Sequence, residues 1–226
     1  MNVQSAARTD VRGEILTVAT RLFAGQGFDG TSIAEIAEAV GVKKPSLLYH
    51  FASKDELRQA VLDNVLARWN EMLPRVLMAA TAGEDQFEGV TRELVSFFMA
   101  DPDRARLLIR EALDRPDDMQ KRLAAHVRPV VANLSDYIRR GQGHGELHAG
   151  ADAEAYLFQT ITLLLCGVAF TDSFGTLMPR SSPYGGRKER LTRELLRIAR
   201  SALFLPPGAE ASGVTRTRGA GKKKKD

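Results

Sequence analysis

The sequence predicts an all-α fold, and three observations carry that prediction. Apolar residues recur at helical spacing along most of the 226-residue chain. Strand-type alternation is scarce. The punctuation is that of helix ends, with Ser or Asp before helical runs, Pro at their first positions and Gly after their last. A chain of this length that is 44% hydrophobic can bury a substantial core.

Over residues 10–25, Ile15, Ala19, Leu22 and Phe23 form one stripe, which Gly25, Gly27 and Gly30 then interrupt. Ser32 and Glu35 have the spacing of a capping box, and Ile33, Ile36, Ala37 and Val40 form the next stripe. Gly41 ends that helix, because only glycine enters the left-handed region without steric cost. Pro45 opens a third short helix carrying Leu47, Leu48 and Phe51. Ser53 and Glu56 cap a long helix with Leu57, Val61, Val65, Leu66, Trp69 and Leu73 on its stripe, and Pro74 is expected to kink it. Further helices are expected over 85–100, 102–114, 117–140, 152–174 and 188–204, with a long loop at 175–186. The organisation that follows is a three-helix unit over residues 9–52, a larger helical domain over 53–206, and a disordered basic tail over 207–226.

The net charge of +4 resides in the tail, where six basic residues face two acidic ones; residues 1–206 hold 26 of each sign. Locally the balance differs: residues 41–54 carry Lys43, Lys44 and Lys54 and no acid. The longest apolar stretch, 155–171, falls short of the roughly 20 residues that span a bilayer. No secretory signal is read at the N-terminus, and the single Cys166 excludes an internal disulfide. A soluble cytoplasmic protein is the expectation.

The segment 30–51, GTSIAEIAEAVGVKKPSLLYHF, has the parts of a helix-turn-helix: a supporting helix, a glycine-permitted turn and a second helix able to enter a major groove. Ile33, Ile36, Ala37, Val40, Val42, Leu47 and Phe51 can hold the two helices together, leaving Lys43, Lys44, Ser46, Tyr49 and His50 outside. The N-terminus capped by Ser32 offers backbone N–H groups to a phosphate. Lysines supply attraction to any sequence, whereas Ser and Tyr can reach phosphates or base edges.

Leu22, Phe23, Ala24, Gly27, Phe28, Thr31, Ser32, Ile36, Ala37, Gly41, Val42, Lys44, Leu47, His50, Phe51, Ser53 and Lys54 stand in the order and spacing of a known pattern. In these residues the chain resembles the TetR family of bacterial regulators. The resemblance implies a DNA-binding set of Ser32, Lys43, Lys44, Pro45, Ser46, Tyr49, His50 and Lys54, with base reading on Lys43, Lys44, Ser46 and Tyr49. Two positions depart from the family. Leu48 occupies the place of its usual tyrosine, whose role passes to Tyr49, and Pro45 stands where glycine is common. The resemblance further implies a homodimer in which helices 152–174 and 188–204 pair with their symmetry mates, the latter through Leu191, Leu195, Ile198, Ala199 and Ala202. It implies a largely apolar small-molecule effector in a pocket partly lined by Trp69, Phe98, His126, Phe158 and Cys166. The expected partner is a near-palindromic double-stranded operator, released when the effector binds.

Other motifs carry less. His144, Glu146 and His148 lie in GQGHGELH, where glycines deny a fixed helical face and the spacing fits no zinc motif, so no metal is expected. Cys166 on an apolar helix face reads as packing before redox sensing. No nucleophile setting such as Gly-x-Ser-x-Gly occurs, and neither enzymatic activity nor a cofactor is expected. The rival reading is a helical ligand carrier or enzyme whose first fifty residues only pack.

Overall fold

The computed structural model describes the backbone of residues 3–79, 84–179, 183 and 185–205, and the side chains of these except 3–10, 69–79 and 84–86. Eleven α-helices and one short 3-10 turn follow one another, with no strand among the described residues. They are α1 (Val3–Gly30), α2 (Ile33–Val40), α3 (Lys44–His50), α4 (Lys54–Ala79), α5 (Glu84–Ala100), α6 (Pro102–Asp114), α7 (Pro116–His126), α8 (Arg128–Gly143), α9 (Ala153–Ala169), α10 (Thr171–Phe174) and α11 (Arg187–Leu203).

Local chemistry explains most boundaries. Gly27, at φ 81°, breaks the helical backbone near the end of α1, whereas Gly25 does not. Gly41 is left-handed and ends α2 in a Schellman arrangement: its N–H donates to Glu38 O at 3.0 Å, and the Val42 N–H donates to Ala37 O at 2.9 Å. Ser53 caps α4 by accepting from the Glu56 N–H at 3.0 Å, while Glu56 accepts from the Ala52 N–H at 2.8 Å.

Two expectations are corrected. The helix expected over 117–140 is two helices, because Pro129 cannot supply an N–H to a continuing ladder and sits in the first turn of α8. The helix expected over 152–174 breaks at Phe170, where the axis bends by 64°. Arg106 on α6 holds this break, donating to Ala169 O at 3.2 Å and pairing with Asp172 at 2.6 Å.

One core cluster joins the first three helices to the rest. It runs from Ile15, Ala19 and Phe23 through Ile36, Leu47 and Phe51 to Leu57, Val61, Phe98, Leu107, Leu164 and Val168, all buried. Helix α1 packs along α4 and α6, so no gap in the core marks residue 52. A second cluster, Ile138, Leu147, Ala153, Leu203 and Phe204, closes the far end. There the loop after α8 docks on α11, the His148 N–H donating to Leu203 O at 3.0 Å.

The joint between α4, α6 and α7 carries a buried ion-pair cluster. Arg58, only 2% exposed, pairs with Glu111 of α6 at 2.5 Å and with Asp118 of α7 at 2.8 Å. Burial alone would lower the pKa of Arg58, but the hydrogen bonds and charges of Asp118 and Glu111 outweigh it and push it up. The hydrogen bond from Arg58 in turn holds the Asp118 carboxyl below its ordinary value. Beside this cluster the ring of Phe28 faces two cations from α4, Lys54 at 4.2 Å and Arg58 at 5.6 Å from its centroid, and Arg115 between α6 and α7 at 4.4 Å.

Candidate nucleic-acid interface and interior cavity

The α2–turn–α3 unit buries Ile36, Ala37 and Leu47 inward. Because α3 is short, fixing Leu47 at its centre fixes the direction of the remaining side chains. Lys43, Lys44, Pro45 and Ser46 are exposed, and Tyr49 is 75% exposed. His50 is half-buried, its ring edge-on to Tyr49 at 5.6 Å. Pro45 lies in the first turn of α3, where its missing N–H costs nothing. The result is one outward surface carrying two ammonium groups, a hydroxyl, a phenol and an imidazole.

Ser32 borders this surface at the N-terminus of α2. Its hydroxyl accepts from the Glu35 N–H at 3.1 Å, and Gln26 from α1 donates to Glu35 at 2.8 Å. The hydroxyl is therefore engaged in capping, while the first N–H groups of α2 have no acceptor within their own helix. Such a terminus attracts a phosphate.

Lys54 differs from its expected place. Its ammonium donates to Thr31 O at 2.7 Å and lies over Phe28, so it ties the start of α4 to the end of α1 instead of projecting with the lysines of α3. The ammonium expected to meet DNA is thus engaged within the protein here.

A cavity of about 80 Å³ lies between α5, α8, α9 and α11. Leu94, Leu134, Leu157, Ile161 and Leu164 make its walls apolar, and Tyr137, Tyr156 and Thr160 add the polar atoms nearest to it. The Tyr156 hydroxyl donates to Ala199 O at 2.8 Å, and burial pushes its pKa up to about 12. No charged side chain lines this space.

The residues expected to line a pocket are placed elsewhere. Phe98 is wholly buried in the main core against Phe97, at 4.9 Å between centroids. Phe158 is 66% exposed, because α9 turns Leu157, Ile161 and Leu164 inward and leaves Phe158 on the opposite face. His126 is half-buried at the end of α7, and Cys166 is half-buried toward the end of α9; neither lines the cavity. Trp69 lies outside the residues whose side chains are described. Leu157, Ile161 and Leu164, at i, i+4 and i+7, form the wall that α9 gives this cavity.

An outer apolar face accompanies this arrangement. Phe158, Leu163, Phe170, Phe174 and Leu177 on α9, α10 and the following turn are exposed, as is Ile198 on α11. Among the described residues no single helix is long and apolar enough to cross a membrane.

An exposed short helix after a tight turn, set on a larger helical body, is the arrangement of a helix-turn-helix DNA-binding regulator. The comparisons agree. Residues 15–61 match the model for bacterial regulatory proteins of the tetR family, and residues 84–196 match a tetracyclin repressor-like C-terminal domain. The chain belongs to the TetR family. It is 31% identical over 161 residues to the HTH-type transcriptional regulator TtgR of Pseudomonas putida, covering 65% of this chain and 74% of that protein. Its fold matches the ketosteroid transcriptional regulator KstR2 of Mycobacterium tuberculosis with a TM-score of 0.67 at 19% identity, over 86% of this chain and 95% of that one. It also matches AibR, solved in complex with isovaleryl coenzyme A and operator DNA, with a TM-score of 0.66 at 16% identity, over 83% and 97% of the two chains.

Proposed function

We propose that the chain is a cytoplasmic, ligand-responsive repressor that binds a near-palindromic operator as a homodimer and leaves it when a small apolar molecule enters the cavity between α5, α8, α9 and α11. The observation that carries this reading is the outward face of α3, held out by buried Leu47 and bearing exposed Lys43, Lys44, Ser46 and Tyr49. Residues 9–52 are the reading head in this proposal, and residues 53–206 are the body that senses and dimerises. The lysines meet phosphates, Ser46 and Tyr49 reach base edges or phosphates, and the N-terminus of α2 at Ser32 receives a further phosphate. His50 stands at the edge of the same surface.

The outer face of Phe158, Leu163, Phe170 and Ile198 supports pairing of α9 and α11 with their symmetry mates, since monomers rarely leave so much apolar surface in one place. Two-fold pairing sets the two heads one DNA turn apart or somewhat more, about 34 Å. The cavity supports release by ligand. It is about 80 Å³, whereas an engineered apolar cavity that admits benzene measures about 150 Å³. A ligand of that size or larger must push the helices apart. Helix α5 lies between the cavity and α4, α9 packs on α6 and α8 on α7, so the displacement reaches the helices that hold the head. Affinity for DNA falls by the ligand's preference for the opened state.

The test is fluorescence anisotropy with DNA from upstream of the chain's own coding sequence, set against random duplex. A specific site is expected to bind about 10³-fold tighter or better than random DNA. Replacing Lys44 and His50 together by Ala weakens binding to both duplexes, as loss of phosphate contacts does. Equal binding of wild type and variant to random duplex at moderate salt refutes the reading and favours a carrier or enzyme.

A further inference from the structure

We propose that the effector site has a second compartment, and that its ligand is an anionic amphiphile: an apolar chain in the cavity and a carboxylate or phosphate head in the adjoining arginine-lined cleft. This rests on the ligand-responsive reading above and names the chemistry of the ligand.

The second compartment is an open cleft of about 1060 Å³ between α5 and α11. Arg92 projects into it from α5, and Arg193, Arg197 and Arg200 from α11, against Glu88 and Glu189. Helix α11 as a whole carries six basic residues and two acidic ones, in a chain whose first 206 residues are otherwise balanced. Cationic charge is thus concentrated on a single helix beside a cavity with no charge of its own.

Phe87 lines both spaces, and its ring meets Phe204 edge-on at 5.2 Å, making an aromatic partition between them. Rotation of this pair joins the apolar chamber to the cleft. The cleft lies on a different side of α11 from Leu191 and Ile198, so pairing of two copies through that apolar face leaves it open.

The present partners of the arginines do not oppose an incoming anion strongly. Arg92 pairs with Glu88 at 2.5 Å, Arg193 with Glu189 at 3.1 Å and Arg197 with Glu194 at 2.5 Å. All are exposed pairs within one helix, a class worth little in water. A carboxylate or phosphate offers guanidinium groups the bidentate geometry that they bind best. The apolar chain alone could enter the cavity, but only an anionic head uses the cleft, which fixes both the polarity and the orientation of the ligand.

The experiment is calorimetric titration of the full chain, without DNA, against octanoate, octyl phosphate, octanol and inorganic phosphate, all below micelle-forming concentrations. The expected result is that one or both anionic amphiphiles bind at least about tenfold tighter than octanol, with no measurable binding of inorganic phosphate. Which of the two binds better distinguishes a carboxylate head from a phosphate head. In the Arg193→Ala, Arg197→Ala variant the advantage disappears while octanol binds as before; Arg92→Ala lowers the advantage from the opposite wall. Circular dichroism melts confirm that these surface variants stay folded. Octanol binding as tightly as the anions overturns the proposal, as does an advantage that survives the variants or inorganic phosphate binding equally well. Since no DNA is present, such a failure leaves the operator-binding reading untouched, and loss of operator binding does not affect this result.

Discussion

Removing the carboxylate of Glu111 tests the ionic joint that ties α4 to α6 and α7. Arg58 is 2% exposed and Glu111 5% exposed, with 2.5 Å between them, so neither charge can be hydrated in place of its partner. Breaking a buried pair from one side costs about 3–5 kcal/mol, because a charge is left behind. In Glu111→Ala, Arg58 keeps Asp118 at 2.8 Å, which places the loss near the lower end, at roughly 3 kcal/mol. For a chain of this size that corresponds to a fall in melting temperature of about 6–12 °C. Arg58→Met should cost at least as much, since it strands Glu111 without its close cation. The double variant Arg58→Met, Glu111→Leu should recover most of the loss, because apolar groups of similar size fill the site without a stranded charge. Thermal and urea melts of the four proteins give the coupling directly. Losses below about 1 kcal/mol in both single variants, or a double variant whose loss is their sum, refute the view that this joint is a desolvated, mutually dependent pair.

Four other outcomes follow from the geometry. Gly41→Ala meets no atom within 4 Å, so its whole effect is the left-handed φ of 81°; a loss of about 1–2 kcal/mol is expected in thermal melts, partly recovered by Asn. Tyr156 is held neutral by burial, so the stability it contributes is complete below pH 10 and declines as pH rises toward its folded value of about 12; Tyr156→Phe should remove that dependence in alkaline melts. Asp118 has the opposite sign: its depressed pKa gives stability that is present above its ordinary value of 3.8 and lost as pH falls below it, and Asp118→Asn should flatten the acid limb of a pH–stability curve. Phe158→Asp, placed on the exposed apolar face, should convert a dimer to a monomer in sedimentation measurements while leaving the helical content intact.

What could be read from the sequence was what nearby residues decide. Ser32 with Glu35, Gly41, Pro45 and Ser53 with Glu56 act within four positions of themselves, and each does in the structure what its chemistry requires. The outward set on α3 followed from the same reasoning, since burying Leu47 and Phe51 dictates where Lys44 and Tyr49 point. Pro129 was equally local, yet the apolar pattern around it concealed the break. The remaining differences come from distant partners. Arg58 reads as an ordinary surface arginine until Glu111 and Asp118, 53 and 60 positions away, close around it. Lys54 looks free until Phe28 and the Thr31 carbonyl are brought beneath it. The bend after Ala169 depends on Arg106, 63 positions earlier. Phe158 stands one residue from the cavity wall at Leu157, and a single step around a helix turns a side chain through about 100°.

The unbroken packing from Ile15 and Leu47 through Leu57 to Leu164 limits how such a regulator can be re-engineered. Its reading head is not an exchangeable cassette. A head excised near residue 52 would expose the face of α1 that α4 and α6 cover, and a foreign head grafted onto this body would have to reproduce its contours. Altered operator preference is therefore best sought by recoding the few solvent-facing positions of α3, leaving the shared interior as it stands.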